Sequence, residues 1–230
     1  MSTQIIPAIL AESYQELQEK LAQVVNIAKT VQIDICDGKF VDSVTWPMHP
    51  YDRSSAEAIL DEEEGLPFWD SLDFEFDLMV RNAHEQFEFF MRLGARRMVF
   101  HLEAEGDIHE FKEFLEGIDM YTKENLEVGV AINTSTDISA LAPIISCVEF
   151  VQCMGIEHIG HQGEAFDEHV IAQIKSLRAL YPELIISVDG SVNETTAPLL
   201  VEAGADRLVV GSALLESYDM RATMRELENI

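Results

Sequence analysis

Short, nearly continuous apolar runs alternate along this chain with longer stretches in which apolar positions recur with helical period. The runs at 4–10, 31–36, 74–80, 97–102, 127–133, 150–154, 185–189 and 207–210 read as strands. They are rich in Val, Ile, Leu and Phe, the pattern of strands buried on both faces of a parallel sheet. Residues 14–28, 85–93, 111–120, 167–180, 195–203 and 218–230 read as helices, with a shorter one at 56–63. Asn193, followed by Glu194, is placed to cap a helix N-terminus, and Gly94 and Gly204 to end helices before the next strand. Strands alternating with helices in this way predict an α/β fold, a single (β/α)8 TIM barrel spanning residues 1–230 as one domain. One stretch breaks the rhythm: residues 39–73 carry Trp46-Pro47, Pro50, an acidic run and Phe68-Trp69. Two readings stay open for it, a lid over the strand ends or a mobile surface insertion.

Charge narrows the partners. The chain of 230 residues has 15 Lys and Arg against 42 Asp and Glu, a net charge of −27. That excludes nucleic acid and anionic membrane surfaces, which demand a basic patch. No apolar run approaches the roughly 20 residues needed to span a bilayer, and no signal peptide is expected at the N-terminus. Cys36, Cys147 and Cys153 have no metal-knuckle spacing, which fits a reducing compartment; the expected location is cytoplasmic. A homo-oligomer is compatible with everything so far.

In such a barrel chemistry sits where strands run out into the loops that follow them. Strand alternation puts Gln32, Asp34 and Cys36 on one face of the second strand, and Glu75, Asp77 and Met79 on one face of the third. His101 and Glu103 end the fourth strand, Asn133 the fifth, and Ser187 and Asp189 the seventh. A carboxylate inside an apolar strand is costly unless it is paired, hydrogen-bonded or metal-bound. Asp34, Asp77 and Asp189 are therefore expected to share one centre. Such a centre can bind a divalent cation, or move protons to and from a carbon beside a carbonyl. The last third offers an anion site: Gly190-Ser191 and Gly211-Ser212 follow successive strands, and glycines there let backbone N–H groups converge. Met154-Gly155 leads into a loop, Gly160-His161-Gln162-Gly163, placed to close over the same anion.

With these residues in place, the chain resembles the ribulose-phosphate 3-epimerase family along nearly its whole length. Pro7-Ala8-Ile9-Leu10 resembles that family's Pro-Ser-Ile-Leu, and the stretch from Asp34 through Asp37-Gly38 to Phe40-Val41 its Asp-x-Met-Asp-Gly-x-Phe-Val. Asp77-Leu78-Met79-Val80 is similar to His-Leu-Met-Val, and His101-Leu102-Glu103-Ala104 to His-x-Glu-Ala. Gly129 to Asn133, Val188-Asp189-Gly190, Glu202 to Asp206 and Val210-Gly211-Ser212-Ala213 continue the likeness in order. The resemblance implies proton transfer on a pentulose phosphate through an enediolate, as in the pentose phosphate pathway. Asp34 and Asp189 match the family's acid and base, which also ligate its metal. Gly190, Ser191, Gly211 and Ser212 match its phosphate region; Gly160, Gly163, Met79 and Met154 complete the expected substrate contacts.

The departures are specific. The two remaining metal ligands of the family are histidines, where this chain has Gln32 and Asp77; its early serine is Ala8, and the loop after Met154 lacks the family's Asn-Pro-Gly-Phe-Gly-Gly-Gln. An all-oxygen set of Gln32, Asp34, Asp77 and Asp189 favours magnesium or manganese over zinc or iron, and a site without metal stays open. Two alternatives remain beside an epimerase or isomerase: a magnesium-dependent sugar-phosphate lyase or decarboxylase, and a non-catalytic barrel that binds a phosphorylated ligand. Barrels of the lyase kind carry Asp-x-Lys on the third strand, where this chain has Asp77-Leu78-Met79.

Overall fold

A computed structural model describes residues 3–161 and 163–230; Gln162 of the glycine-bearing loop lies outside the described residues. The strands are β1 (Gln4–Leu10), β2 (Thr30–Cys36), β3 (Asp73–Met79), β4 (Ala95–His101), β5 (Glu127–Ile132), β6 (Phe150–Met154), β7 (Ile185–Asp189) and β8 (Arg207–Val210). Each pairs in parallel with the next and β8 pairs with β1, closing the barrel. The expected (β/α)8 architecture is therefore present, with every strand displaced by two residues or fewer from its expected limits.

Around the sheet run α1 (Tyr14–Val24), α2 (Arg53–Leu60), α3 (Phe87–Arg92), α4 (Ile108–Gly117), α5 (Met120–Asn125), α6 (His169–Leu180), α7 (Ala197–Ala203), α8 (Ser212–Leu215) and α9 (Met220–Glu228). Helix limits differ from expectation where side-chain caps intervene. α4 starts earlier because Asp107 accepts from the N–H groups of His109 and Glu110, and α5 is a separate helix whose cap, Asp119, accepts from Thr122 N–H. α1 stops at Val24, although Val25 and Ile27 still pack on the core and so extend the apolar pattern past the last turn. Asn193 does cap, but it caps the turn before α7, its Oδ1 accepting from the N–H groups of Thr195 and Thr196. Gly94 and Gly204 both take left-handed φ, as expected of helix ends.

Residues 39–73 are less of an insertion than their length implies, because α2 is the ordinary crossover helix between β2 and β3. The part before it is anchored to the barrel. Trp46 is fully buried, its ring centroid 5.5 Å from that of Tyr14, and its Nε1 donates to Ser55 Oγ at 2.8 Å. Thr45 Oγ1 donates to the backbone oxygen of Asp34 at 2.7 Å and accepts from the Cys36 N–H at 2.8 Å. The mobile-insertion reading fails for this part.

The main core lies between sheet and helices, while the barrel interior holds two small apolar clusters. Alternation sends Gln32 and Asp34, Glu75 and Asp77, His101, Gln152, Ser187 and Arg207 into that interior, all of them buried, and Asp189 at the mouth, which is partly so. Thr45 fixes the backbone at the mouth end of β2. Replacing Thr45 by Val keeps the shape but strands an acceptor and a donor, and is expected to cost about 1–3 kcal/mol in urea denaturation. A loss below about 0.5 kcal/mol would show that the loop is not anchored through this hydroxyl.

Candidate active site

Register brings the acids together. Asp34 and Asp77 are directly opposed across β2 and β3, and Asp189 enters from β7 on the far wall. One carboxylate oxygen from each of Asp34, Asp77 and Asp189 lies within 4.8 Å of the others. The three aspartates thus form the one centre expected of them.

Gln32, one barrel layer below, links two of them. Its Nε2 donates to Asp34 Oδ1 and to Asp189 Oδ2, each at 2.8 Å. Asp77 is held from the other side by His101 Nε2 at 2.8 Å, and Phe40 packs against that imidazole with centroids 5.5 Å apart. Burial raises the pKa of Asp34 to about 7, with the neighbouring charge of Asp77 adding to it and the Gln32 hydrogen bond opposing it. Burial likewise lifts Asp189 well above the ordinary carboxylate range, reinforced by the charges of Asp34 and Asp77. At His101 burial works against the charged imidazole, but the charge and hydrogen bond of Asp77 outweigh it, so its pKa is raised.

Above the acids opens a cavity of about 280 Å³. Asp34 and Asp189 line it, and so do all eight expected substrate contacts: Met79, Met154, Gly160, Gly163, Gly190, Ser191, Gly211 and Ser212. Gln32 and Asp77 do not; they sit beneath it. Among the described residues no Lys or Arg reaches the lining, which includes Glu164 and His161. Gly190 has φ +108 and a Cβ there would lie 2.8 Å from Ile156 and 3.1 Å from the Gly155 nitrogen, so this corner admits only glycine. The Ser191 hydroxyl donates to the Glu164 backbone oxygen, which leaves the main chain as its contribution to the cavity.

The roof is shared by two loops. Ser43 Oγ donates to the Gly160 backbone oxygen at 2.8 Å, while Val41 joins Met79, Met154, Ile156 and Ile159 in an apolar cluster. The loop after β2 therefore packs against the loop after β6.

Several residues escaped the sequence reading. His101 was placed at a strand end without a role; its signal was alternation, since Val99 opposes Asp77 and His101 follows two residues later on the same face. Glu164 carried no pattern that separates lining from loop, and His161 was named only as part of the glycine-bearing loop. Glu103 and Asn133, also noted at strand ends, are committed to each other: Glu103 Oε1 accepts from Asn133 N–H at 2.8 Å. Cys36 is buried, and burial pushes its thiol up to about 12, which makes it inert.

The donor set suits a hard divalent cation. Three carboxylates converge, Asp77 Oδ2 is buried without a partner, and so is Gln32 Oε1. Gln32 presents its nitrogen rather than its oxygen to the acids, so it joins such a site only through the opposite end of its amide.

The sequence model of the family described as Ribulose-phosphate 3 epimerase matches residues 4–215. The ribulose-phosphate 3-epimerase of Bacillus subtilis is 27% identical over 229 residues, covering 97% of each chain. That of Chlamydia pneumoniae is 30% identical over 196 residues, covering 81% of this chain and 76% of its own. The crystal structure of 3-keto-L-gulonate-6-phosphate decarboxylase from Vibrio cholerae superposes with a TM-score of 0.70 at 12% identity, covering 100% of this chain and 97% of that one, a likeness of fold alone.

Two outcomes test this geometry. The folded protein retains on Asp34 a proton that the unfolded chain releases near 3.8, so in chelator-treated buffer its contribution is full below that pH and is lost as pH rises through about 7. Asp34→Asn should flatten that dependence and stabilise the protein at pH 8 by more than about 1 kcal/mol in thermal or urea unfolding; an unchanged profile would contradict the burial of this charge. Gly160, at φ +87, has Val41 Cβ and Ser43 Oγ each 2.9 Å from where a Cβ would stand. Gly160→Ala should therefore push the roof apart, raising KM for a phosphorylated substrate several-fold while leaving global stability within about 1 kcal/mol.

Proposed function

The chain belongs to the ribulose-phosphate 3 epimerase family, and from that premise we propose that it epimerises a ketopentose phosphate beside its carbonyl, with Asp34 and Asp189 moving the proton. The observation that carries the reading is that these two acids, from opposite walls of the barrel, line one small cavity and are tied by the same amide nitrogen.

The raised pKa values of both acids favour a pair that holds a proton near neutral pH. The carboxylate of one takes the proton from the carbon adjacent to the carbonyl, leaving an enediolate; the carboxylic acid of the other returns a proton to the opposite face. Gln32 keeps both carboxyl groups aimed into the cavity. Met79 and Met154 supply apolar wall, and the main chain at Gly190, Ser191, Gly211 and Ser212 offers N–H groups to the phosphate. Asp34, Asp77 and Asp189 would hold a divalent cation, with Gln32 through its oxygen, and the all-oxygen set favours magnesium or manganese. Bound there, the cation supplies positive charge against the enediolate oxygens. The lyase reading needs a lysine where Met79 stands in the cavity wall, so the support falls to the epimerase.

The test is proton NMR of ribulose 5-phosphate with the protein in deuterated water containing magnesium or manganese. Deuterium should enter at C3 as the epimer appears. Asp189→Asn should lower kcat by about 10²–10⁴-fold. The absence of both exchange and epimer with pentulose and hexulose phosphates would overturn the proposal.

A further inference from the structure

The hydrogen-bond donors around the acid cluster are shared out evenly. Gln32 Nε2 donates to Oδ1 of Asp34 and to Oδ2 of Asp189, and His101 Nε2 engages Oδ1 of Asp77, each at 2.8 Å. Among the described residues no other donor reaches these carboxylates, so each acid has one oxygen held by the protein and one left over. At Asp77 the leftover Oδ2 is buried without a partner. His101 is indispensable to this pattern. The cross-strand neighbours of Asp77 are Asp34 and Val99, a second carboxyl group and a side chain with no donor. The imidazole is itself clamped. It is fully buried, Phe40 packs on it with centroids 5.5 Å apart, and the Phe40 N–H donates to Asp37 Oδ1 at 3.0 Å. Asp37 Oδ2 accepts from the Arg81 N–H at 3.0 Å, which ties the loops after β2 and β3 together over the ring.

A hydrogen bond of this length fixes the rotation of a carboxylate about its Cβ–Cγ bond: the held oxygen faces its donor and the other faces away. An acid that chelates an ion with both oxygens has to turn both towards it, which breaks that bond. Calcium draws on such two-oxygen chelation to fill roughly six to eight oxygen positions, whereas magnesium takes a tight octahedral set at about 2.0–2.1 Å. Charge does not separate two ions of the same valence, and a chain of net charge −27 attracts both. Selection between them has to come from ligand geometry.

Resting on the reading that Asp34, Asp77 and Asp189 hold a cation, we infer that His101 and Gln32 make the site selective for a small divalent ion over calcium, by leaving each acid a single oxygen to give. His101 is the positioning residue at Asp77, and the nitrogen end of Gln32 does the same for Asp34 and Asp189. Without His101, Asp77 would have both oxygens free for a larger ion.

Displacement of bound manganese, followed by electron paramagnetic resonance on the full chain, tests this without substrate. The epimerase reading can therefore fail on deuterium exchange while this inference stands, and the reverse. In the wild type magnesium should displace manganese at a concentration at least tenfold lower than calcium does. His101→Leu should cut that ratio at least tenfold, whereas His101→Gln, which keeps an N–H at similar reach, should hold it within about twofold. The charge of the imidazole acts alike on both ions, so the ratio reads geometry. A merely structural role for His101 would weaken both ions together and leave the ratio in place. Gln32→Leu acts on the other two acids, should lower the ratio as well, and decides the matter if the His101→Leu chain does not fold. A wild type that binds no manganese or prefers calcium, a ratio indifferent to the leucine variants, or a His101→Gln chain that behaves like His101→Leu would overturn the inference.

Discussion

Three carboxylates whose oxygens lie within 4.8 Å of one another cannot all be ionised in a barrel interior without something to share the charge. Most of the unusual features near the mouth answer that constraint. Gln32 places both hydrogens of one amide nitrogen on Asp34 and Asp189. His101 engages Asp77, and its pKa is raised in return. The remaining electrostatic strain appears as a pKa raised to about 7 on Asp34 and one raised well above the ordinary carboxylate range on Asp189.

The constraint extends down the barrel. Interiors of this fold are commonly filled by branched apolar side chains in layers, whereas here the layer under the acids contains Gln32, Glu75, Gln152 and Ser187. Glu75, fully buried, is 3.3 Å from Arg97, which meets Glu127, which in turn meets Arg207. Arg207 also lies over the Phe150 ring, 4.8 Å from its centroid. This chain of pairs carries the buried charge of Glu75 toward the solvent-facing end of the barrel. It makes the interior stiff in one sense: truncating one member leaves the next as an uncompensated charge, which costs more than the pair contributes.

How far the sequence discloses this depends on whether a feature is local. Strands were legible because a strand buried on both faces must be apolar along its length, and the eight runs stand out against acidic helices. The convergence of Asp34, Asp77 and Asp189 was legible too, since closure and alternation leave an inward carboxylate nowhere else to go. Helix ends were less so: α4 and α5 are delimited by Asp107 and Asp119, which look like any other acids in a chain with 42 of them. The Gln32 bridge was invisible, because which end of an amide faces a carboxylate depends on strands distant in sequence. The same holds for the stretch at 39–73, whose sequence left a lid and a mobile insertion both open, whereas in the fold Trp46 is buried and Thr45 is hydrogen-bonded to β2.

That no Lys or Arg lines the cavity among the described residues has a physical consequence for an anionic ligand. A lysine at the mouth would pair with Asp34 or Asp189 before it met a phosphate, because the acids are nearer and permanently present. It would then depress their pKa values and remove the property that suits them to proton transfer. Backbone N–H groups avoid this conflict. They carry only partial charge, so they perturb the neighbouring carboxylates less than an ammonium group would. An anion site made of main chain is therefore the arrangement that leaves the carboxylate cluster undisturbed. Such a site would bind its anion more slowly, since a chain of net charge −27 repels an anion at long range.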